Sequence, residues 1–350
     1  MKERNVFFGL FVCVMLLFTL NCASSVHYIR FDAGGGNGRV TTGGGGGRGG
    51  NEDVTYVQKD SSMVLPGAEG LSFSTNFGDA VFAGWYTFSN GTVTTYQPGD
   101  VITPTGSMYL IAKWKLDVDF ESVTGFADKF LWLQINAEDG GHYTIELNSD
   151  EIIEPQRICY GGRNVTVTLR GTDANRTIRG SNRATSLLSV CQGVTLVLDN
   201  NITLQGRSDN EGALVWVGGK LIMNAGSVIT GNTAPSGGGV RVSKGGILEM
   251  NGGAITNNIA DGSGGGVWLA GGSFIMNNGT ISGNTVGGVK PNGARYGSGG
   301  GVCVGEFIGD GTFIMNGGTI TGNTSGYEGG GVSGNFQHRG GTVSGNTPAP

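Results

Sequence analysis

Four near-copies of one short motif fill the C-terminal half of the chain and restrict its fold more than any other feature. They run Lys220–Asn232, Ile247–Asn258, Ser273–Asn284 and Thr312–Asn323, with a partial fifth at Gly340–Asn346. A Gly-Gly-Gly-Val mark stands between copies and ends at Val240, Val267, Val302 and Val332, so its spacing is 27, 35 and 30 residues. Periods in this range predict a solenoid, in which each unit buries its apolar side only against its neighbours. Helical solenoids do not fit. The units are dense in glycine and β-branched residues and carry no 3.6-residue apolar stripe. Glycine makes up 69 of 350 residues, against the roughly 7% of an average chain, and proline only 8.

Each unit instead holds three short alternating runs separated by Gly or Asn turns. In one run Val240, Val267, Val302 and Val332 face one way, while Arg241, Trp268, Cys303 and Ser333 face the other. A second pairs Leu221, Leu248, Phe274 and Phe313 with Met223, Met250, Met276 and Met315, and the Glu249 between them marks the outward side. The third stacks Ile229, Ile255, Ile281, Ile320 and Val343. Strands wound into turns about 4.8 Å apart make an all-β fold, a single-stranded parallel β-helix with like residues stacked in its core. Asn232, Asn258, Asn284 and Asn323 close the third run, where an amide tolerates a left-handed turn and can bond along the stack beside a glycine of positive φ. Earlier turns are readable at Tyr143–Leu147, Val165–Leu169, Val194–Leu198 and Ile202–Leu204, with Thr177–Arg179 at best a short strand. The solenoid is therefore expected to begin near Phe130, under a cap over its first turn.

At the other end, Lys2 and Arg4 precede an uncharged, mostly apolar stretch from Val6 to Leu20. Fifteen residues fall short of the roughly 20 needed to span a bilayer, so the stretch reads as an export signal. Cys22 follows, in a setting that resembles a bacterial lipobox, with Thr19 and Asn21 where that motif has leucine and a small residue. The resemblance implies a lipid on Cys22 and attachment to a membrane. Ordinary cleavage near Ala23–Ser25 is the alternative. Beyond the leader, Cys159, Cys191 and Cys303 match no zinc or redox spacing and read as buried or stacked thiols, a Cys159–Cys191 bridge being the other option.

Three marks in order, Ile29–Gly35, Phe82–Thr87 and Tyr109–Trp114, resemble the Listeria–Bacteroides repeat, the small β-grasp-like B-repeat of internalin-type surface proteins. An insert at Gly43–Gly50 departs from that pattern. Phe31, Phe82, Trp85 and Trp114 are expected to form its aromatic core. The C-terminal repeats in turn resemble the Asn/Gly-rich right-handed parallel β-helix repeats of bacterial surface proteins, within the pectin-lyase-like superfold. The divisions that follow are 1–22 for the leader, 27–115 for the module, 116–129 for a linker or cap, and 130–350 for the solenoid, clearest from 206.

Catalysis has little to rest on. Carbohydrate-active β-helices need converging carboxylates, yet from Gly206 onward 145 residues hold seven acids and seven bases. The close pairs, Asp209/Glu211 and Glu306/Asp310, lie in turn-like sequence. His27, His142 and His338 stand far apart. No phosphate loop, metal cluster or nucleophile elbow is written in the chain, so neither a cofactor nor a metal is expected. A net charge of −5 speaks against a nucleic-acid partner. What remains is an outward column of Trp216, Arg241, Trp268 and Cys303, where indole and guanidinium planes offer a stacking surface for a sugar or peptide. The expectation is an exported, non-catalytic envelope or surface protein that displays a binding surface, adhesin-like, toward a host protein or glycan. The competing expectation is a polysaccharide-acting β-helix using acids among Asp139, Glu146, Asp150 and Glu151.

Overall fold

A computed structural model describes residues 26–348 except 35–36, 39, 41–51, 90–91, 184, 290–294 and 306–310. The chain is almost entirely β and divides into two compact units, Met1–Ser122 and Val123–Pro350. The leader with Cys22, the Gly43–Gly50 insert and the Glu306/Asp310 pair lie outside the described residues.

The first unit is a curled sheet whose spatial order is Asn37–Gly38, Leu71–Thr75, Gly78–Ser89, Met108–Lys115, Val26–Asp32 and Glu52–Gln58. Its opening and closing long strands, Val26–Asp32 and Met108–Lys115, lie side by side and parallel, and the other pairings are antiparallel. That arrangement is the β-grasp-like part of the fold. Alternation along Val26–Asp32 sends Ile29 and Phe31 inward, both fully buried. Phe31 and Phe82 meet Trp85 edge-on at 5.0 and 5.1 Å, and Phe82 and Phe73 meet Trp114 at 5.8 Å. Both buried indoles satisfy their N–H groups: Trp85 donates to the Pro66 carbonyl at 2.8 Å and Trp114 to that of Ala33 at 2.7 Å.

The second unit is a parallel β-solenoid of about seven turns over residues 142–344. Each turn contributes one strand to each of three sheets. Sheet A contains Lys220–Met223 and sheet B contains Ser227–Thr230, each with eight strands; sheet D contains Val240–Ser243 and has seven. From Thr233–Ala234 onward a fourth strand of two residues, sheet C, closes each turn, where only three runs were expected. The core is made of in-register ladders. Leu221, Leu248, Phe274 and Phe313 stack in sheet A beside Met223, Met250, Met276 and Met315. Ile229, Ile255, Ile281, Ile320 and Val343 stack in sheet B, and Val240, Val267, Val302 and Val332 in sheet D. The Phe274 and Phe313 rings lie 4.7 Å apart and nearly parallel. Such stacking follows from the strand spacing itself, because each side chain meets its counterpart one rung away.

At the B–C corner the asparagines form a buried chain. Asn232, Asn258, Asn284 and Asn323 have no solvent exposure. The Asn258 and Asn284 backbone N–H groups donate to the Asn284 and Asn323 side-chain oxygens at 3.0 and 2.9 Å. The left-handed residue is the one before each asparagine, not the asparagine itself. Gly231, Gly283, Gly322 and Gly345 have φ of 62 to 68°, and in the second copy Asn257 takes that place at 55°. Division of labour at the corner is therefore stricter than the sequence suggested: one residue bends the chain, the next bonds along the stack.

The solenoid begins later than Phe130. Residues Phe126–Asn136 form an α-helix, and the first rung strand is His142–Leu147. The helix buries Phe126, Phe130, Trp132, Leu133 and Ile135 and packs against that strand and Gln156–Ile158, so it covers the apolar end of the first turn. Arg163 ties it down: its guanidinium donates to the Gln134 carbonyl at 3.1 Å, to the Ala137 carbonyl, and to the Tyr160 carbonyl at 2.6 Å. These oxygens include ones the helix terminus leaves without intrahelical partners. We expect Arg163→Ala to destabilise the solenoid by about 2–3 kcal/mol in urea denaturation, and Arg163→Lys to recover less than half, since one ammonium cannot reproduce the planar fork.

Cys159 and Cys191 stand one rung apart, with Cα atoms 5.1 Å apart, and form a disulfide. For that pair the bridge replaces the thiol reading, while Cys303 is buried in sheet D. Closing 32 residues restricts the unfolded chain. Reduction, or the Cys159→Ser/Cys191→Ser pair, is expected to cost about 2–3 kcal/mol, read as a fall in the melting temperature under dithiothreitol.

Candidate functional site

The outward column of sheet D exists in register: Trp216 pairs with Arg241, Arg241 with Trp268, Trp268 with Cys303, and Cys303 with Ser333. The Arg241 guanidinium lies over the Trp268 ring, 4.6 Å from its centre. Display is another matter. Trp268 is 7% exposed and Cys303 fully buried, together with Ala270. Only Trp216 and Arg241 reach solvent, each partly, and the Trp216 ring folds over Gly218, where a Cβ would come within 2.7 Å of it. From Trp268 onward, the column is an inner surface rather than a platform. The Trp268 indole N–H and Arg241 Nε are buried with no partner among the described residues. The long 35-residue spacing accommodates an antiparallel pair, Gly288–Val289 with Arg295–Tyr296, between Trp268 and Cys303.

Asp139, Glu146, Asp150, Glu151, Asp209, Glu211 and Glu249 are each engaged by a separate neighbour. Glu146 pairs with Arg170 directly across sheet A. Asp139 accepts from the Asn164 backbone at 2.6 Å, Asp150 from the Thr177 backbone at 2.9 Å, and Glu151 from the Ser149 hydroxyl at 3.4 Å. Asp209 is paired with Arg207 at 2.8 Å and Glu211 with Arg183 at 2.9 Å, so the two acids of that close pair serve different arginines. The hydrogen bond from Arg207 holds the Asp209 carboxyl below the usual carboxylate range. Glu249 is likewise held down, first by Lys220 at 2.8 Å and then by the Asn251 amide at 3.1 Å. Its outward half-buried place in sheet A is thus satisfied by a neighbour one rung back. Among the described residues no group of three or more His, Cys, Asp or Glu is arranged to hold a metal. The buried asparagine oxygens face N–H donors, not a cation cage.

One surface was not legible in the sequence. On the outer face of the first unit, Tyr28 and Tyr56 are register partners whose rings meet edge-on at 5.6 Å. Arg30 is paired with Tyr109 on one side and Val54 on the other. Tyr28 is 55% exposed, Tyr56 59% and Tyr109 38%. They border an open depression of about 500 Å³ with Arg30 and Ser107 in its walls. The Tyr109 hydroxyl donates to Asp32. The signal was available only as parity: Tyr28, Arg30 and Asp32 alternate with the buried Ile29 and Phe31.

No known family model, no curated protein and no solved structure matches this chain. The functional reading therefore rests on the chain's own sequence and geometry.

Proposed function

We propose that the chain is an exported, non-catalytic bacterial envelope or surface protein, whose B-repeat-like module and solenoid serve as an adhesin-like display and binding scaffold. The observation that most supports this reading is the pairing of Glu146, Asp150 and Glu249 with neighbours one rung away instead of with one another. Among the described residues such an arrangement keeps these acids apart, which favours a display surface over acid–base chemistry on a glycosidic bond. A disulfide between adjacent rungs fits an oxidising compartment outside the cytoplasm. The apolar stretch Val6–Leu20 and Cys22 supply the export signal and a lipid anchor in the same reading. The ligand is a host protein or a glycan.

Fractionation of cells expressing the wild type and Cys22→Ala tests location. The wild type is expected in the membrane fraction and accessible to added protease, and the variant is expected to be released. Incubation with neutral and acidic glycans tests the absence of catalysis. Cleavage abolished by Glu146→Gln or Asp150→Asn would replace the scaffold reading with a polysaccharide-acting one.

A further inference from the structure

We propose that Asn278 is a site of self-modification, at which the backbone nitrogen of Gly279 attacks the Asn278 side chain to give a cyclic imide and then aspartate or isoaspartate. This goes beyond the display reading and depends on neither a leader nor a ligand. The solenoid holds three Asn-Gly pairs among its described residues: Asn251-Gly252, Asn278-Gly279 and Asn316-Gly317. A glycine carries no side chain to shield its own amide, so by sequence the three rank equally. Their surroundings separate them. Gly252 and Gly317 donate their N–H groups to the Met223 and Met276 carbonyls one rung back, each at 3.2 Å. The Asn251 side chain is held at both ends: its oxygen accepts from the Asn277 amide at 2.8 Å, and its nitrogen donates to Glu249 at 3.1 Å. Asn316 donates to the Asn277 oxygen at 2.8 Å. In both pairs the attacking nitrogen and the amide it would attack are committed to other partners.

The third copy reads Met276-Asn277-Asn278-Gly279, so Asn277 takes the ladder position and the Asn-Gly pair moves one residue on. The rung bond at that point belongs to Asn278, whose backbone N–H donates to the Met250 carbonyl at 3.2 Å. Gly279 turns its N–H to the Asn278 side chain instead and donates to the amide oxygen at 2.8 Å. That oxygen is bonded to Cγ, so the nitrogen stands one bond beyond a hydrogen-bond contact from the carbon it must reach, the range from which such attacks begin. The Asn278 side chain is exposed, so its amide plane can turn toward the nitrogen and ammonia can leave into water. Base removes the Gly279 N–H proton, the nitrogen bonds to Cγ, and the Cγ–Nδ2 bond breaks with release of ammonia. Water then opens the imide at either carbonyl. The product places one added negative charge at the corner between sheets A and B.

The test incubates the purified chain in mildly alkaline buffer, folded and in guanidinium chloride, and follows it by peptide mapping in the mass spectrometer and by isoaspartyl methyltransferase labelling. In the folded chain Asn278 is expected to convert nearly as fast as in denaturant. Asn251 and Asn316 are expected to convert at least about tenfold more slowly folded than unfolded, because each must first open locally. The Asn278 rate is expected to rise with pH, since base must take the Gly279 proton. Isoaspartate at this position identifies the imide route, as direct hydrolysis of the side chain gives aspartate alone. Asn278→Ala is expected to remove the label from that peptide with the melting temperature unchanged, Ala225 standing at the same place in the first copy. The proposal is overturned if the folded chain keeps Asn278 intact while the unfolded chain reacts, if the three asparagines convert at equal rates when folded, or if the product is aspartate without isoaspartate.

Discussion

Replacing Asn284 with alanine is expected to cost about 3–5 kcal/mol, among the largest effects of any single side chain in the solenoid. The side chain is fully buried and bonds in both directions along the stack. Its amide donates to the Ile255 carbonyl and to the Asn323 side-chain oxygen, both at 2.9 Å. Its oxygen accepts from the backbone and side chain of Asn258 at 3.0 and 3.1 Å. Asn258 also has the Ile229 carbonyl as a side-chain partner, but its backbone N–H would lose its Asn284 acceptor in a place water does not reach. Asn277, chemically identical and one corner away, gives the control. It makes the analogous contacts with Asn251 and Asn316 at the surface, at 2.8 Å, where water can replace them. Asn277→Ala is expected to cost under about 1 kcal/mol. Asn284→Asp is expected to be worse than alanine at neutral pH, since it removes the donors and buries a charge. Burial would raise the folded-state pKa of that carboxyl above its unfolded value. The variant would then bind more protons folded than unfolded, so its deficit shrinks as pH falls and grows as pH rises. Urea denaturation of the four proteins at two pH values checks the ranking. Equal losses for Asn284→Ala and Asn277→Ala would mean that the buried ladder is not what fixes the corner.

The two ladders also mark what the sequence could and could not convey. Register was legible because each rung repeats the same residue at the same offset, so Met223, Met250, Met276 and Met315 align without knowledge of coordinates. Where repetition fades, legibility fades with it. Glu151–Ile153, Gln156–Ile158 and Leu188–Val190 are three-residue strands with no copy to align against, and the sequence pattern does not mark them. The capping helix was hidden for a different reason. Phe126–Asn136 has apolar residues on most sides, as an element between a core and a connecting segment must, so it shows little amphipathic period. Parity assigned Trp268 and Cys303 to the outer side of sheet D, and they are there. Parity says nothing of what lies over a sheet, and both prove buried. The tyrosine face has the opposite history. Its members are 28 to 81 residues apart and meet only through the strand order, with Val26–Asp32 held between Glu52–Gln58 and Met108–Lys115.

Gly300→Ala is expected to cost about 4 kcal/mol or more, from backbone collision rather than from lost conformational freedom. Gly300 sits in the Gly-Gly-Gly-Val mark, where successive rungs approach through bare backbone. Its N–H donates to the Gly329 carbonyl at 3.1 Å and its carbonyl accepts from Gly266 at 3.1 Å. A Cβ there would lie 2.4 Å from the Thr324 oxygen and 2.5 Å from that of Gly330. Neither oxygen can retreat without opening the ladder on both sides, so the strain spreads to neighbouring rungs. Two other glycines separate this cause from the alternatives. Gly231 has φ of 68° with nothing within 4 Å of an added Cβ, so Gly231→Ala tests left-handed strain alone, about 1–2 kcal/mol. Gly287 has neither constraint: its surroundings are open and its φ is ordinary, so Gly287→Ala is expected to be neutral or slightly stabilising. Melting temperatures of the three variants should fall in the order Gly287, Gly231, Gly300, from highest to lowest. If Gly300→Ala melts with Gly287→Ala, the rungs are not packed backbone to backbone at the triple-glycine mark, and the ladder on which the solenoid depends is looser than its hydrogen bonds imply.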